Sequence, residues 1–219
     1  MNDTVLYLIR HSEATPKSNF KDISYHDNSQ IGNEKIILSV SGEKRAEALS
    51  MNEELKNIDA VYSSSYVRAL QTAKYIALEN NIIINVDDRL NERKIGNMGK
   101  LDWKDFHRLE IKDFDFKLPS GESFNQTKKR MVEAIKSILV YEAGNRVAVV
   151  SHATALTALL SAWCEQGLNY DDDIILTYND QTIVDATWSA PMVFKVVFDG
   201  MNVKSVERLS IEELEKSNS

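Results

Sequence analysis

Hydrophobic positions fall along this chain in short blocks divided by polar stretches, and the length and spacing of each block predict its element. The first block, Val5-Leu6-Tyr7-Leu8-Ile9, halts at Arg10-His11 and has the length and β-branched content of a buried strand. Residues 12–37 are polar and irregular, with Pro16, Asn19, Asn28 and Gly32, and read as a loop. Leu38-Ser39-Val40-Ser41-Gly42 leads into an amphipathic helix from about Glu43 to Lys56, with Ala46, Leu49 and Leu55 toward one face. Ile58 to Tyr62 forms a second short strand. Ser63-Ser64-Ser65 then offers caps for a helix from about Tyr66 to Glu79. In that helix Val67, Leu70, Ala73, Ile76 and Ala77 recur at helical spacing. Ile82 to Val86 is a third strand.

The pattern breaks from about Asp87 to Gly121, a charged and aromatic stretch with Trp103, Phe106, Phe114 and Phe116. It has room for one short helix near Asp102 to Glu110. A long irregular insertion in a compact domain is usually functional, and this one reads as a lid. A helix from Glu122 to Tyr141 follows, then a strand from Arg146 to Val150 and a helix from about Ala153 to Cys164. Two β-rich runs, Thr182 to Trp188 and Met192 to Phe198, are expected to pair as a hairpin at a sheet edge. Ile211 to Lys216 reads as a short charged helix or a frayed tail. Alternating strands and helices argue for an α/β domain. The expectation is a three-layer sandwich with a largely parallel central sheet, one domain over residues 1–219 with a lid at about 87–121.

Composition changes this picture in two places. The 219 residues are 43% hydrophobic and 27% charged, ordinary for a globular protein with its own core. Lys and Arg number 26 against 33 Asp and Glu, a net charge of −7. Such a surface repels nucleic acid and anionic membrane, both of which are bound by neutralising phosphates with cations. A small phosphorylated ligand in a local cationic pocket stays compatible with it. The single cysteine, Cys164, excludes an internal disulfide and any Cys-based zinc site, and its apolar neighbours suggest a buried, inert thiol. The N-terminus lacks the basic and apolar regions of a secretory signal, and no run approaches the ~18 apolar residues of a membrane span. The expected location is the cytoplasm.

Candidate chemistry concentrates at strand ends. Of the four histidines, His11 and His152 follow predicted strands directly, whereas His26 and His107 lie in charged surroundings and read as surface residues. Ligands of open α/β sheets bind at the carboxyl ends of the strands. Arg10 shares the first strand end, and Arg68 lies in the first turn of the helix after the second strand, where free N–H groups already favour an anion. Two guanidinium groups, whose forked donors match phosphate geometry, thus converge with two imidazoles able to act as nucleophile or proton carrier. The competing view pairs these arginines with surface carboxylates and buries the histidines in the core.

The same residues carry a resemblance. Leu8-Ile9-Arg10-His11-Ser12-Glu13 resembles the Arg-His-Gly-Glu signature of the histidine phosphatase superfamily, whose fold is that of phosphoglycerate mutase. Leu38-Ser39-Val40-Ser41-Gly42 is similar to its Leu-Thr-x-x-Gly segment. The run from Ser63 to Ala73 is close to its Ser-Ser-x-x-x-Arg-Ala-x-Gln-Thr-Ala motif, and the run from Leu90 to Gly96 to its Leu-x-Glu-x-x-x-Gly segment. Gly121-Glu122-Ser123 matches a common Gly-Glu-Ser, and Val149-Val150-Ser151-His152 resembles the strand that ends in the second histidine. These matches run in family order over residues 5 to about 160.

The resemblance implies His11 as a nucleophile forming phosphohistidine, with Arg10, Arg68 and His152 holding the phosphoryl oxygens. It implies Glu92 as the acid that protonates the leaving oxygen and then activates water, with His152 in the catalytic set. The competing view of Glu92 is a surface carboxylate paired with Arg89 or Arg93. Ser12 replaces the family's glycine, Ala14 its frequent threonine, Lys17 its asparagine and Ala153-Thr154 its Gly-Gly. Ser12, Lys17 and Lys94 are therefore candidate substrate contacts. The expected activity is hydrolysis of a small phosphorylated substrate without metal or cofactor. A cofactor-dependent phosphoglycerate mutase is the first alternative, opposed by Lys94-Ile95 where mutases resemble His-Tyr and by Trp103 where they place a lysine. A weakly catalytic phospho-ligand binding protein is the second. A nucleotide-binding protein is disfavoured, since neither Gly-x-Gly-x-x-Gly nor a P-loop lysine is present. The substrate's identity and the oligomeric state are not legible.

Overall fold

In the computed structural model the described residues are 2–16 and 30–210. The strands of the central sheet are β1 (Thr4–Arg10), β2 (Ala60–Ser63), β3 (Ile84–Val86), β4 (Arg146–Ser151), β8 (Met192–Asp199) and β9 (Asn202–Leu209), in the order β3-β2-β4-β1-β8-β9. The first four run parallel, while β8 and β9 are antiparallel additions at one edge. The helices are α1 (Gln30–Glu34), α2 (Val40–Ser50), α3 (Val67–Glu79), α4 (Trp103–Lys112), α5 (Phe124–Tyr141) and α6 (Ala153–Leu160).

The period of two along each strand builds two cores, one on each face. Leu6 and Leu8 of β1, with Val147 and Val149 of β4, pack against Met131, Ile135 and Ile138 of α5 and Leu156 and Leu159 of α6. The intervening Tyr7, Ile9, Ala148 and Val150 face the other way, onto Leu49 of α2 and Ala69, Ala73 and Ile76 of α3. These near-continuous apolar runs are the mark of strands buried on both faces, and the three-layer α/β reading holds. No described helix is long and apolar enough to cross a membrane.

Several elements differ from the sequence reading. Gln30–Glu34 is helical inside the stretch read as loop. α2 starts at Val40, three residues before its expected start, and is capped by Ser39, whose hydroxyl accepts from the Gly42 N–H at 2.9 Å. Ser63 to Ser65 do not cap α3, whose N-cap is Tyr66 with no side-chain bond. The last third is the main correction. Thr182 to Trp188 does not pair with Met192 to Phe198. Instead β5 (Glu165–Leu168), β6 (Ile174–Tyr178) and β7 (Gln181–Val184) form a separate antiparallel sheet. Its β6–β7 turn is Asn179-Asp180, both with positive φ (49° and 62°), the conformation a two-residue hairpin requires and that these residue types tolerate. The hairpin partner of β8 is β9, and its other edge pairs with β1. The expected tail helix, Ile211 to Lys216, lies outside the described residues.

Candidate functional site

Strand register brings the two histidines together. Arg10 pairs with Ser151 across the β1–β4 ladder, so the next residues, His11 and His152, leave neighbouring strand ends side by side. The His11 N–H donates to the Ser151 carbonyl at 3.0 Å. The two rings meet edge to face, with centroids 5.1 Å apart. On the other side of β4, Ser63 lies opposite Val150, which carries Ser64 and the first turn of α3 to the same edge. Gly42 closes the arrangement from α2: a Cβ there would lie 2.0 Å from the Glu13 carbonyl oxygen, so only glycine allows the loop after His11 to pass.

The protonation pattern of His11 follows from its partners. Its Nδ1 lies 2.7 Å from the Ser12 carbonyl, an acceptor only, so Nδ1 carries the proton. Its Nε2 receives the Arg68 Nε–H at 3.0 Å, so Nε2 holds a lone pair. Burial, reinforced by the Arg68 and Arg10 charges, pushes His11 down to about 3 against the donation of Nδ1–H to Ser12. The ring is a neutral imidazole at ordinary pH. Arg68 is itself buried, with Nη1 on the Asn33 carbonyl at 2.6 Å and its guanidinium 5.1 Å from the Tyr66 ring.

His152 is fully buried between His11 and Tyr66, whose ring lies 4.9 Å away. Ser64 Oγ sits 2.8 Å from Nε2 of His152 and donates its own proton to Asn91 Oδ1 at 2.7 Å. The Nε2–H of His152 is therefore the donor in their contact. Its Nδ1 is buried with no partner. Burial holds His152 well below an ordinary histidine, and the neighbouring His11 and Arg68 act in the same direction.

Arg10 donates from Nη1 to the carbonyls of Trp188 and Ser189, at 2.6 and 2.9 Å, and lies 5.8 Å from the Trp188 ring. Burial lowers the pKa of both Arg10 and Arg68, and in each case the nearby Glu92 charge opposes that shift. Glu92 pairs with neither candidate arginine side chain: Arg89 is engaged by Asp87 and Arg93 by Glu110. Its carboxylate docks on the N-terminus of α6, accepting from the Ala155 N–H at 2.9 Å, the Thr154 N–H at 3.3 Å and the Arg93 N–H at 2.8 Å. His152 provides no side-chain cap for α6, and Glu92 supplies an anion in its place.

Arg10, His11, Arg68, Glu92 and His152 thus share one centre. Ser12 does not stand free for a substrate. It is fully buried, and its hydroxyl donates to the Gly42 carbonyl at 2.7 Å, tying the strand end to α2. Lys94 is exposed and lines a cavity of about 340 Å³ together with Glu34, Asp88, Glu92, Glu122 and Arg130. Lys17 and His26 lie outside the described residues. His107 lies on α4 and contacts the Asp172 carbonyl at 3.1 Å. Cys164 is half-buried, and burial pushes its thiol up to about 11, in keeping with an inert group. No group of three or more His, Cys, Asp or Glu side chains is arranged for a metal ion among the described residues. Sequence reasoning missed Ser64, Tyr66, Asn91 and Trp188. Only the position of Ser64 and Tyr66 just after a strand hinted at them.

Comparison with known proteins adds family context. A model of the histidine phosphatase superfamily (branch 1) matches residues 6–193. The chain is 32% identical over 170 residues to a metal-independent phosphoserine phosphatase of Arabidopsis thaliana, an alignment covering 71% of this chain and 67% of that one. It is 29% identical over 168 residues to a protein of Yersinia enterocolitica named "probable phosphoglycerate mutase", covering 71% and 73%. Among solved structures it resembles phosphoglycerate mutase from Bacillus anthracis, with TM-score 0.69 at 15% identity over 100% of this chain and 98% of that one. It also resembles a mycobacterial glucosyl-3-phosphoglycerate phosphatase, with TM-score 0.62 at 17% identity over 95% and 97%. At such identities the structural likeness speaks for the fold alone.

Proposed function

The chain belongs to the histidine phosphatase superfamily, branch 1, and from that membership we propose that it hydrolyses small phosphomonoesters through a phosphohistidine at His11, without a metal. The coarser statement, an enzyme with phosphatase or mutase activity, follows from the family and its phosphatase relatives. The observation that carries the finer reading is the tautomer of His11. Its Nδ1–H is held by a backbone carbonyl, and its Nε2 lone pair is turned toward a guanidinium.

In this reading Arg68 turns from His11 to a phosphoryl oxygen when substrate enters, and the freed Nε2 attacks phosphorus. The bond to the leaving oxygen breaks as that oxygen takes a proton from the Glu92 carboxyl group, which gains it when the phosphoryl dianion enters beside the carboxylate. Water then attacks the phosphohistidine, its proton goes to the Glu92 carboxylate, and phosphate leaves with His11 restored. Arg10 and Arg68 meet the negative charge on the equatorial oxygens, the main task in phosphoryl transfer. The unpartnered Nδ1 of His152 completes the cradle: a phosphoryl dianion beside it favours the imidazolium, whose Nδ1–H can then donate.

A mutase remains the second reading because of the relatives that carry that name. The cavity beside the site supports hydrolysis instead. Its carboxylates outnumber its cations, with Glu34, Asp88, Glu92 and Glu122 against Lys94 and Arg130. Such a lining is poorly suited to a substrate bearing a carboxylate and a second phosphate. One experiment addresses both readings. Wild type should hydrolyse p-nitrophenyl phosphate and yield no 2-phosphoglycerate from 3-phosphoglycerate plus 2,3-bisphosphoglycerate. His11→Ala should lose hydrolysis by at least about 10³-fold. Near-normal turnover in His11→Ala would sink the nucleophile, and efficient mutase conversion by wild type would reverse the ranking.

A further inference from the structure

Arg93 follows Glu92 in the chain, yet the residue is buried, 2% exposed, with its side chain packed toward α4. Its Nε–H donates to the Glu122 carbonyl at 3.0 Å, just before α5 begins. Its guanidinium lies 5.5 Å from the Phe106 ring and forms an ion pair with Glu110, both residues of α4. The other Glu110 oxygen lies 3.9 Å from His107 Nδ1, and Phe106 packs near Phe116 with ring centroids 6.0 Å apart. The backbone N–H of the same Arg93 is one of the donors that orient Oε1 of Glu92.

One residue therefore touches Glu92 through its main chain and anchors α4 and the entry to α5 through its side chain. A buried guanidinium paired with a carboxylate is costly to separate, so the pair with Glu110 fixes where the amide of residue 93 stands. The carboxylate of Glu92 hangs between that amide and the N–H groups of α6, a helix that packs on the body of α5. Displacing the Arg93 amide would swing Glu92 about the α6 terminus, and a misplacement of about 1 Å is enough to suppress a reaction about 10²-fold.

We propose that Arg93, clamped by Glu110, is a positioning residue that aims Glu92 at the leaving oxygen, so that α4 is coupled to leaving-group protonation. This inference rests on the reading of Glu92 as proton donor. The consequence is specific: disrupting the clamp harms substrates in proportion to how much their leaving group needs a proton. Binding of the phosphoryl group and attack by His11, which use Arg10, Arg68 and His152, are spared.

The test compares kcat/KM, which reads the steps up to leaving-group departure and not the later hydrolysis of the phosphohistidine, for phenyl phosphate, whose phenol has a pKa near 10 like tyrosine, and for p-nitrophenyl phosphate, whose leaving group departs far more readily. Glu92→Gln serves as reference and is expected to lose about 10²-fold or more on phenyl phosphate, and much less on the nitrophenyl ester. The double variant Arg93→Met/Glu110→Leu replaces the ion pair by apolar side chains, leaving no lone buried charge. It is expected to fall about tenfold or more on phenyl phosphate and to stay within about threefold on the nitrophenyl ester. Arg93→Lys, which keeps a cation opposite Glu110, should show the same selectivity in milder form, and it carries the comparison if the double variant does not fold. An equal loss on both esters, or no loss on either, overturns the clamp while leaving a selective loss in Glu92→Gln intact. Absence of selectivity in Glu92→Gln itself overturns the proton-donor reading, and the clamp with it.

Discussion

The chemistry of this site is decided atom by atom, by which ring nitrogen each histidine leaves free. His11 presents Nε2 because the Ser12 carbonyl claims Nδ1–H. His152 presents Nδ1 because Ser64 claims Nε2–H and passes its own proton to Asn91. Ser64 also accepts from the Tyr66 N–H at 3.1 Å, so its hydrogen-bonding capacity is filled. Ser64→Ala should leave the Nε2–H of His152 buried without an acceptor, at about 1–3 kcal/mol. The expected result is a fall of about tenfold in kcat/KM for p-nitrophenyl phosphate, checked against the unfolding midpoint to separate site from fold. Unchanged kinetics would remove Ser64 from the account. Both histidines were legible in the sequence because each follows a strand. Ser64, Tyr66 and Trp188 were not, since they act through ring contacts and single hydrogen bonds that leave no spacing pattern.

Among the elements, α6 shows how the proposed proton donor, Glu92, can hold structure as well. Its first turn has unpaired N–H groups and no cap from His152, and Glu92 answers two of them from 62 and 63 residues away. Arg130 sets up this reach, donating to the carbonyls of Arg89 and Asn91, each at 2.8 Å, while pairing with Glu122. Glu92→Ala should cost about 1–2 kcal/mol in urea unfolding, and Glu92→Gln, which keeps an amide oxygen as acceptor, less than half of that. Equal stability of the two variants would show that the cap adds nothing. The competing sequence reading of Glu92, an ion pair with Arg89 or Arg93, fails on geometry. Spacing alone put those arginines within reach, whereas the fold gives Arg89 to Asp87 and Arg93 to Glu110.

Across the whole molecule, the centre binds both histidines in uncharged form, and that ties stability to pH. Above the unfolded value of about 6.5 both states leave these rings neutral, and they contribute nothing. As pH falls below it, the unfolded chain takes up protons that the native state refuses, for His11 until about 3 and for His152 well below the ordinary range. Stability should therefore drop by up to about 2.7 kcal/mol per pH unit for the two sites together. Urea titrations at about pH 7, 6 and 5 should record that slope, and His11→Ala should roughly halve it. A flat profile in wild type would contradict neutral burial. The sequence by itself determined the α/β class, both helix-covered faces of the parallel strands, and the strand ends that carry Arg10, His11, Arg68 and His152. These rest on local periodicity and on the rule that ligands sit at carboxyl ends. Only the tertiary structure decided that Thr182 to Val184, the start of the run expected to pair with Met192 to Phe198, joins a separate sheet and that β9 closes the main one. It also decided that Ser12 is spent on Gly42 and that Glu92 caps α6. Those outcomes depend on which partner among distant residues wins each strand edge, hydroxyl and carboxylate, a competition settled by register and packing rather than by any property of the segment itself.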